Sequence, residues 1–312
     1  MRAQIRCRAH RRIPPPSAHD DRGRSGYAAG MDSLVTTEWL AAHAAARDLR
    51  IADATLHANF PGDPPRDARA EFEAAHIPGA VFLDLAAFAD ASSPLPSTMP
   101  GAAQFASRMA KLGLGDGTRI VLYDDAAHRT AARAWVMLRA FGFTEVAIVD
   151  GGLAKWRAEG RALERGPAAP APRHATPRDT SVGIVDRAAV ARAIDKGTAQ
   201  VVDARSPARF TGAEPDPRPE VAPGHIPGSR NLPYAHLFAA DGTWKRGEAL
   251  AAAFADAGVD PARPMLMTCG SGITASVLAF GAHLLGHDAA VYDGSWTEWG
   301  ADPASPKAMG EA

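Results

Sequence analysis

Cysteine is scarce in this chain, with only Cys7 and Cys269 among 312 residues. That argues against a disulfide framework and fits a reducing, cytoplasmic compartment. It also leaves no zinc cluster at ligand spacing. Long apolar runs are missing, so no segment is expected to span a bilayer. Neither sign of charge dominates: the formal net charge is -1 with 22% charged residues, which gives no broad attraction to nucleic acid or to a membrane surface. What remains is an ordinary globular composition, 46% hydrophobic, in a chain long enough for two domains.

Residues 1–30 lack the apolar segment of a secretory signal. They carry seven arginines, the run Pro14-Pro15-Pro16 and Asp20-Asp21, and are expected to be a disordered leader or the product of an upstream start, with Met31 the natural first residue. Beyond it the pattern becomes regular. Val35 to Leu40 starts a helix capped by Thr36 or Thr37. Leu49–Ala54, Arg119–Tyr123 and Val146–Val149 read as strands. Arg66–Ala75, about 130–141 and a short segment bearing Trp156 read as helices. Alternating strands and helices imply a parallel α/β sheet. Arg161 to Ser181, with Gly166-Pro167-Ala168-Ala169-Pro170-Ala171-Pro172, reads as a linker.

Past the linker the first half recurs in the same order. Val201-Val202-Asp203-Ala204 repeats Ile51-Ala52-Asp53-Ala54, and His225-Ile226-Pro227-Gly228 repeats His76-Ile77-Pro78-Gly79. Asp293-Gly294-Ser295-Trp296 repeats Asp150-Gly151-Gly152-Leu153. The expected organisation is therefore a leader (1–30), a first α/β domain (31–160), a Pro/Ala-rich linker (161–182), a second α/β domain (183–303) and a polar tail (304–312).

The halves differ at one loop. Pro264–Met267 reads as a buried strand and Ala275–Leu285 as a helix, with Cys269-Gly270-Ser271-Gly272-Ile273-Thr274 between them. A glycine-rich strand-to-helix loop turns successive N–H groups toward one centre, and the helix adds its positive end. A cysteine there is expected to ionise readily and act as a nucleophile. The alternative is a buried structural cysteine, for which Gly-Ser-Gly is poor packing material. The first half has Tyr123-Asp124-Asp125-Ala126-Ala127-His128 at this place, with an aspartate instead of the thiol, and is expected to be a non-catalytic copy. His128 reads as a surface-loop residue.

Two stretches carry a resemblance to a known family. Phe72-Glu73-Ala74-Ala75-His76-Ile77-Pro78-Gly79-Ala80 and Tyr292-Asp293-Gly294-Ser295-Trp296-Thr297-Glu298-Trp299 resemble the N- and C-terminal signatures of the two-domain rhodanese sulfurtransferases. The likeness runs from Met31 to Asp302. It implies two tandem rhodanese-like domains, each a parallel sheet flanked by helices, and sulfur transfer through a persulfide on Cys269 without metal or organic cofactor. The loop is similar to that of family members acting on 3-mercaptopyruvate. Members acting on thiosulfate carry two basic residues where Gly270 and Ser271 stand.

The resemblance also maps two substrate-binding arginines onto Arg209 and Arg218; the plainer reading makes them surface residues paired with Glu214 and Asp216. Ser271 is expected either to relay a proton to the leaving group or to cap the helix. Asp67 and His76 are expected either to form a relay from the first domain or, in the case of His76 and its repeat His225, to fix the turn. The expected partners are a small-molecule sulfur donor and an acceptor: a small thiol, a thioredoxin-like protein or cyanide. Thiosulfate transfer, a cysteine phosphatase and a non-catalytic sulfur-binding module are the alternatives. A phosphatase loop needs Cys-x5-Arg, and the residue six after Cys269 is Ala275.

Overall fold

The computed structural model describes residues 31–59, 64–178 and 183–311. The leader 1–30 with Cys7, residues 179–182 of the expected linker and the final residue of the tail lie outside the described residues.

The first half runs β1 (Leu34–Val35), α1 (Thr37–His43), β2 (Leu49–Asp53), α2 (Ala68–Ala74), β3 (Ala80–Phe82), α3 (Leu85–Phe88), α4 (Ala102–Lys111), β4 (Arg119–Tyr123), α5 (Ala131–Ala140), β5 (Val146–Val149) and α6 (Gly152–Ala158). The second runs β6 (Ile184–Val185), α7 (Arg187–Lys196), β7 (Gln200–Asp203), α8 (Pro207–Thr211) and β8 (Arg230–Asn231). A 3-10 turn (Tyr234–Leu237) follows, then α9 (Gly247–Asp256), β9 (Met265–Thr268), α10 (Ile273–Leu284), β10 (Ala289–Tyr292) and α11 (Ser295–Ala301). Each half builds a five-stranded sheet, ordered β1-β5-β4-β2-β3 and β6-β10-β9-β7-β8, with every pairing parallel. This is the α/β architecture that the alternating pattern implies.

Short polar residues set the helix starts. Thr36 accepts the Trp39 N–H at 3.1 Å to cap α1. Asp67 accepts the N–H groups of Arg69 and Ala70, so α2 begins at Ala68, two residues later than the charged segment suggests. In each sheet the chain reverses its direction of travel between the second strand and its inner neighbour, β4 beside β2 and β9 beside β7. The carboxyl ends of such a pair open a crevice where α/β folds bind ligands.

The His-Ile-Pro-Gly repeats close each half. His76 is buried, its ring stacked on Phe72 at 4.0 Å and its Nδ1 donating to the Phe72 carbonyl at 2.7 Å. His225 is likewise buried on Phe210, at 3.9 Å, with Nδ1 donating to the Phe210 carbonyl. The backbone of His76 pairs in both directions with Glu164, and that of His225 with Ala308. Trp156 Nε1 donates to the Ala162 carbonyl and Trp299 Nε1 to that of Pro306. The start of the expected linker and the expected tail thus play equivalent structural parts.

One hydrophobic core runs through both halves. Helices α5 and α10 are buried almost throughout, as befits helices apolar on nearly every face, and pack on each other. Trp135 of α5 meets Phe280 of α10 edge-on at 4.9 Å, and Trp244 meets the same ring. The aspartates that follow β5 and β10 cross between halves. Asp150 accepts the Trp244 N–H and pairs with Arg246 at 2.9 Å; Asp293 accepts the Met99 N–H and pairs with Arg133 at 2.6 Å. Met99 and Trp244 both stand three residues before equivalent helices, α4 and α9, so the backbone contacts obey an internal two-fold.

The two pairs differ in burial: the Arg133 side chain is 1% exposed and the Arg246 side chain 54%. Arg133→Ala is therefore expected to destabilise the fold by about 3–5 kcal/mol, because it strands the Asp293 charge. Arg246→Ala is expected to cost about 1 kcal/mol or less, as exposed pairs do. Urea denaturation of both variants at neutral pH checks this contrast.

Candidate active site

Cys269 follows β9 directly, at the crevice between β9 and β7. It is a free thiol, 1% exposed. Gly272, at φ +81°, lies in the left-handed region that lets the chain turn from strand into helix within four residues, and it caps α10 without a side-chain bond. A β-carbon on Gly272 would lie 3.1 Å from the Asp293 carbonyl and 3.3 Å from Arg133 Nη1, so the loop also rests against the interface between halves.

The first turn of α11 holds this loop. Trp296 N–H donates to the Cys269 carbonyl, and Thr297 donates to the Gly270 carbonyl through both its N–H and its hydroxyl. The Cys269 N–H donates to Ser295 Oγ. Among the described residues no acceptor is found for the N–H groups of Gly270, Ser271, Gly272, Ile273 and Thr274. Carbonyls committed elsewhere and amides left over make a loop suited to negative charge.

The loop opens on a cavity of about 1120 Å³ lined by both halves, with Cys269, Gly270, Ser271, Ile273 and Thr274 in its wall. Gly272 is not among the lining residues. Ser271 is half-buried there and does not cap α10, which removes one of its two expected roles. Arg209, carried on α8, and Arg218 line the same cavity. Between them sits Asp216, its side chain 1% exposed, accepting from Arg209 Nη2 at 2.5 Å and from Arg218 Nη1 at 3.0 Å. The plainer reading was therefore right about Asp216, yet the arginines are not surface residues. A β-carbon on Gly270 would lie 3.7 Å from Arg209 Nη2 and 3.9 Å from Arg218 Nη1. The loop sequence has no cations of its own, and these two guanidiniums stand beside it. Arg205 also lines it, closed on Asp203 and the Gly224 carbonyl, with its guanidinium 4.7 Å from the Trp296 ring centroid.

The relay expected of Asp67 and His76 is not found. Neither lines the cavity; Asp67 is occupied as the cap of α2 and His76 as the buried ring on Phe72. Its repeat His225 does the same in the half that carries the thiol, so this histidine serves the turn. His128, by contrast, is no plain surface residue: it is half-buried and lines the cavity from the first half. Ser295, Thr297 and Arg133 were not marked as site residues in the sequence, and Asp216 was marked only as a partner of the arginines. Only the repeat offered a signal, since Ser295 and Thr297 stand in a signature whose first-half copy reads Gly152 and Ala154.

In the first half Asp124 stands at the end of β4 where Cys269 follows β9. Its carboxylate accepts the N–H groups of Ala126 and Ala131, so the corresponding loop is filled by its own side chain. Burial pushes the Asp124 carboxyl up from 3.8 to about 6, against the opposing pull of those two amides.

Comparison with known proteins places this geometry. The rhodanese-like domain matches twice, over residues 36–159 and 186–302. The chain is 39% identical to human 3-mercaptopyruvate sulfurtransferase over 86% of this chain and 91% of that protein. It is 36% identical to a thiosulfate sulfurtransferase from Cricetulus griseus over 86% and 91%. Among solved structures it is similar to SseA from Escherichia coli, described as a 3-mercaptopyruvate sulfotransferase of rhodanese fold. That likeness has a TM-score of 0.77 and 35% identity, covering 85% of this chain and 99% of that one.

The raised Asp124 carboxyl predicts a pH signature. The folded state holds the proton more tightly than the unfolded chain, so the contribution of Asp124 to stability is present below about pH 4. It is lost as pH rises through about 6. The stability difference between wild type and Asp124→Asn is expected to move against the wild type across that window and to level off above it. Denaturation series from pH 4 to pH 7.5 measure this difference.

Proposed function

The chain belongs to the rhodanese family of sulfurtransferases, and from that premise we propose that it moves sulfur from 3-mercaptopyruvate through a persulfide on Cys269. The thiolate attacks the substrate sulfur; the carbon–sulfur bond breaks, and its electrons leave with pyruvate as the enolate. A proton delivered to that enolate gives pyruvate, and the Ser271 hydroxyl in the cavity wall is our candidate for passing it. The free loop amides stabilise negative charge on the outer sulfur. A small thiol, a thioredoxin-like protein or cyanide then takes that sulfur and restores the thiolate. A single-thiol cycle of this kind suits a reducing, cytoplasmic setting; among the described residues no helix is long and apolar enough to cross a membrane.

The choice of donor rests on one observation, the pair Arg209 and Arg218 bracketing Asp216 over Gly270. Two guanidiniums and one carboxylate leave a single net positive charge. That matches the one carboxylate of mercaptopyruvate, which a forked guanidinium binds in bidentate fashion. Thiosulfate would bring a second negative charge that this trio does not offset. The kinship with a thiosulfate sulfurtransferase, only slightly more distant, leaves the charge argument to decide.

Three measurements test this. After incubation with 3-mercaptopyruvate and no acceptor, intact mass should show one added sulfur on Cys269, absent from Cys269→Ser. Arg209→Ala and Arg218→Ala should each lose about 1.5–3 kcal/mol of substrate binding, roughly ten- to hundredfold in kcat/KM. Asp216→Asn, which raises the local charge, should shift the ratio of kcat/KM values toward thiosulfate, with cyanide as common acceptor. A wild type that prefers thiosulfate would overturn the donor while leaving sulfur transfer standing.

A further inference from the structure

Among the described residues, Ser295 is the one fully buried non-glycine residue whose backbone lies in the left-handed region, at φ +49°. Side chains rarely adopt that conformation, and where they do the surrounding structure must hold them there. Its equivalent in the half without the thiol is Gly152, at φ +57°. The match is set by hydrogen bonding as well as by sequence: Leu153 N–H donates to the Asp124 carbonyl as Trp296 N–H donates to that of Cys269. Glycine is thus the easy residue at this place, and the cysteine-bearing half has a serine.

The serine hydroxyl explains the exchange. Ser295 Oγ donates its single proton to the Tyr292 carbonyl at 2.8 Å, which fixes the oxygen as an acceptor on its other side. There it accepts the N–H of Cys269 at 3.2 Å. With the Cys269 carbonyl taken by Trp296, both backbone polar groups of the cysteine are tied to the segment that opens α11. The first half shows no room for such a residue, since a β-carbon on Gly152 would lie 2.4 Å from the Asp124 carbonyl oxygen.

We propose that Ser295 is a positioning residue for sulfur transfer: its hydroxyl fixes the backbone of Cys269, and the strained backbone at Ser295 is retained for that bond. The proposal rests on Cys269 being the nucleophile. It separates stability from activity at one position, because glycine relieves the backbone while removing the hydroxyl and alanine removes the hydroxyl alone.

Ser295→Gly and Ser295→Ala in the full chain make the test, with 3-mercaptopyruvate as donor and cyanide as acceptor. Ser295→Gly is expected to lower kcat about tenfold and keep KM within about twofold, the signature of a loss felt in the reaction rather than in binding. Its melting temperature should equal or exceed that of the wild type. Ser295→Ala should show the same loss of kcat with a lower melting temperature. The proposal falls if Ser295→Gly keeps kcat within about twofold of wild type, if its effect lies in KM alone, or if kcat and melting temperature fall together in it. Failure of the premise is read separately, as a wild type whose Cys269 takes up no sulfur by intact mass.

Discussion

The carbonyls of Cys269 and Gly270 are held by the first turn of α11, and the chemistry available at the loop follows from that attachment. A backbone loop has as many acceptors as donors. Once the acceptors nearest the thiol are satisfied from behind, what remains in front is a row of N–H groups at the start of α10. Arg209 and Arg218 add their charge from beside Gly270, and buried Asp216 keeps them side by side and limits their sum. An environment of donors and cations favours anionic groups, so in the proposed cycle one arrangement would serve both the sulfur and the carboxylate of the donor.

The same loop depends on the other half of the molecule. Gly272 rests against the Asp293 carbonyl and Arg133, and Arg133 comes from α5 of the first half. The cavity lining includes His128, also from the first half. A half without a nucleophile is therefore a structural part of the site: it supplies the packing partner of α10, a buried cation behind the loop and one side of the cavity.

Much of this was legible in the sequence. Strands such as Arg119–Tyr123 and Val146–Val149 show as short apolar runs between turn residues, and the repeat fixes the order of elements. The thiol stands out because Gly-Ser-Gly after a buried strand serves no packing purpose. What sequence could not show was direction. Asp67 lies just before a family signature and His76 within it, but Asp67 is taken up in capping the first turn of α2 and His76 in bonding back to the Phe72 carbonyl, and neither lines the cavity. Arg209 and Arg218 look alike whether they face solvent or the thiol; only the placement of α8 against the Cys269 loop decides. Asp216 was visible as an acidic neighbour, while its burial between two guanidiniums is a property of the fold. The segments 161–178 and 304–311 look like spacer because prolines and small residues dominate them. Their backbone amides nevertheless complete each half through Glu164 and Ala308.

The crossed backbone contacts, Asp150 with Trp244 and Asp293 with Met99, are those two identical subunits make across a two-fold axis. A homodimer of one such half would carry every substitution twice, so a change that removed the thiol would remove it from both sites. Joining the copies in one chain lifts that restriction. One copy keeps Cys269 and its strained serine, and the other fills its own loop with Asp124, packs a glycine where the serine would clash and spends its surface on framing its twin. The backbone thus keeps the symmetry of a two-fold pair while the two central loops differ, an asymmetry that only a single chain can hold.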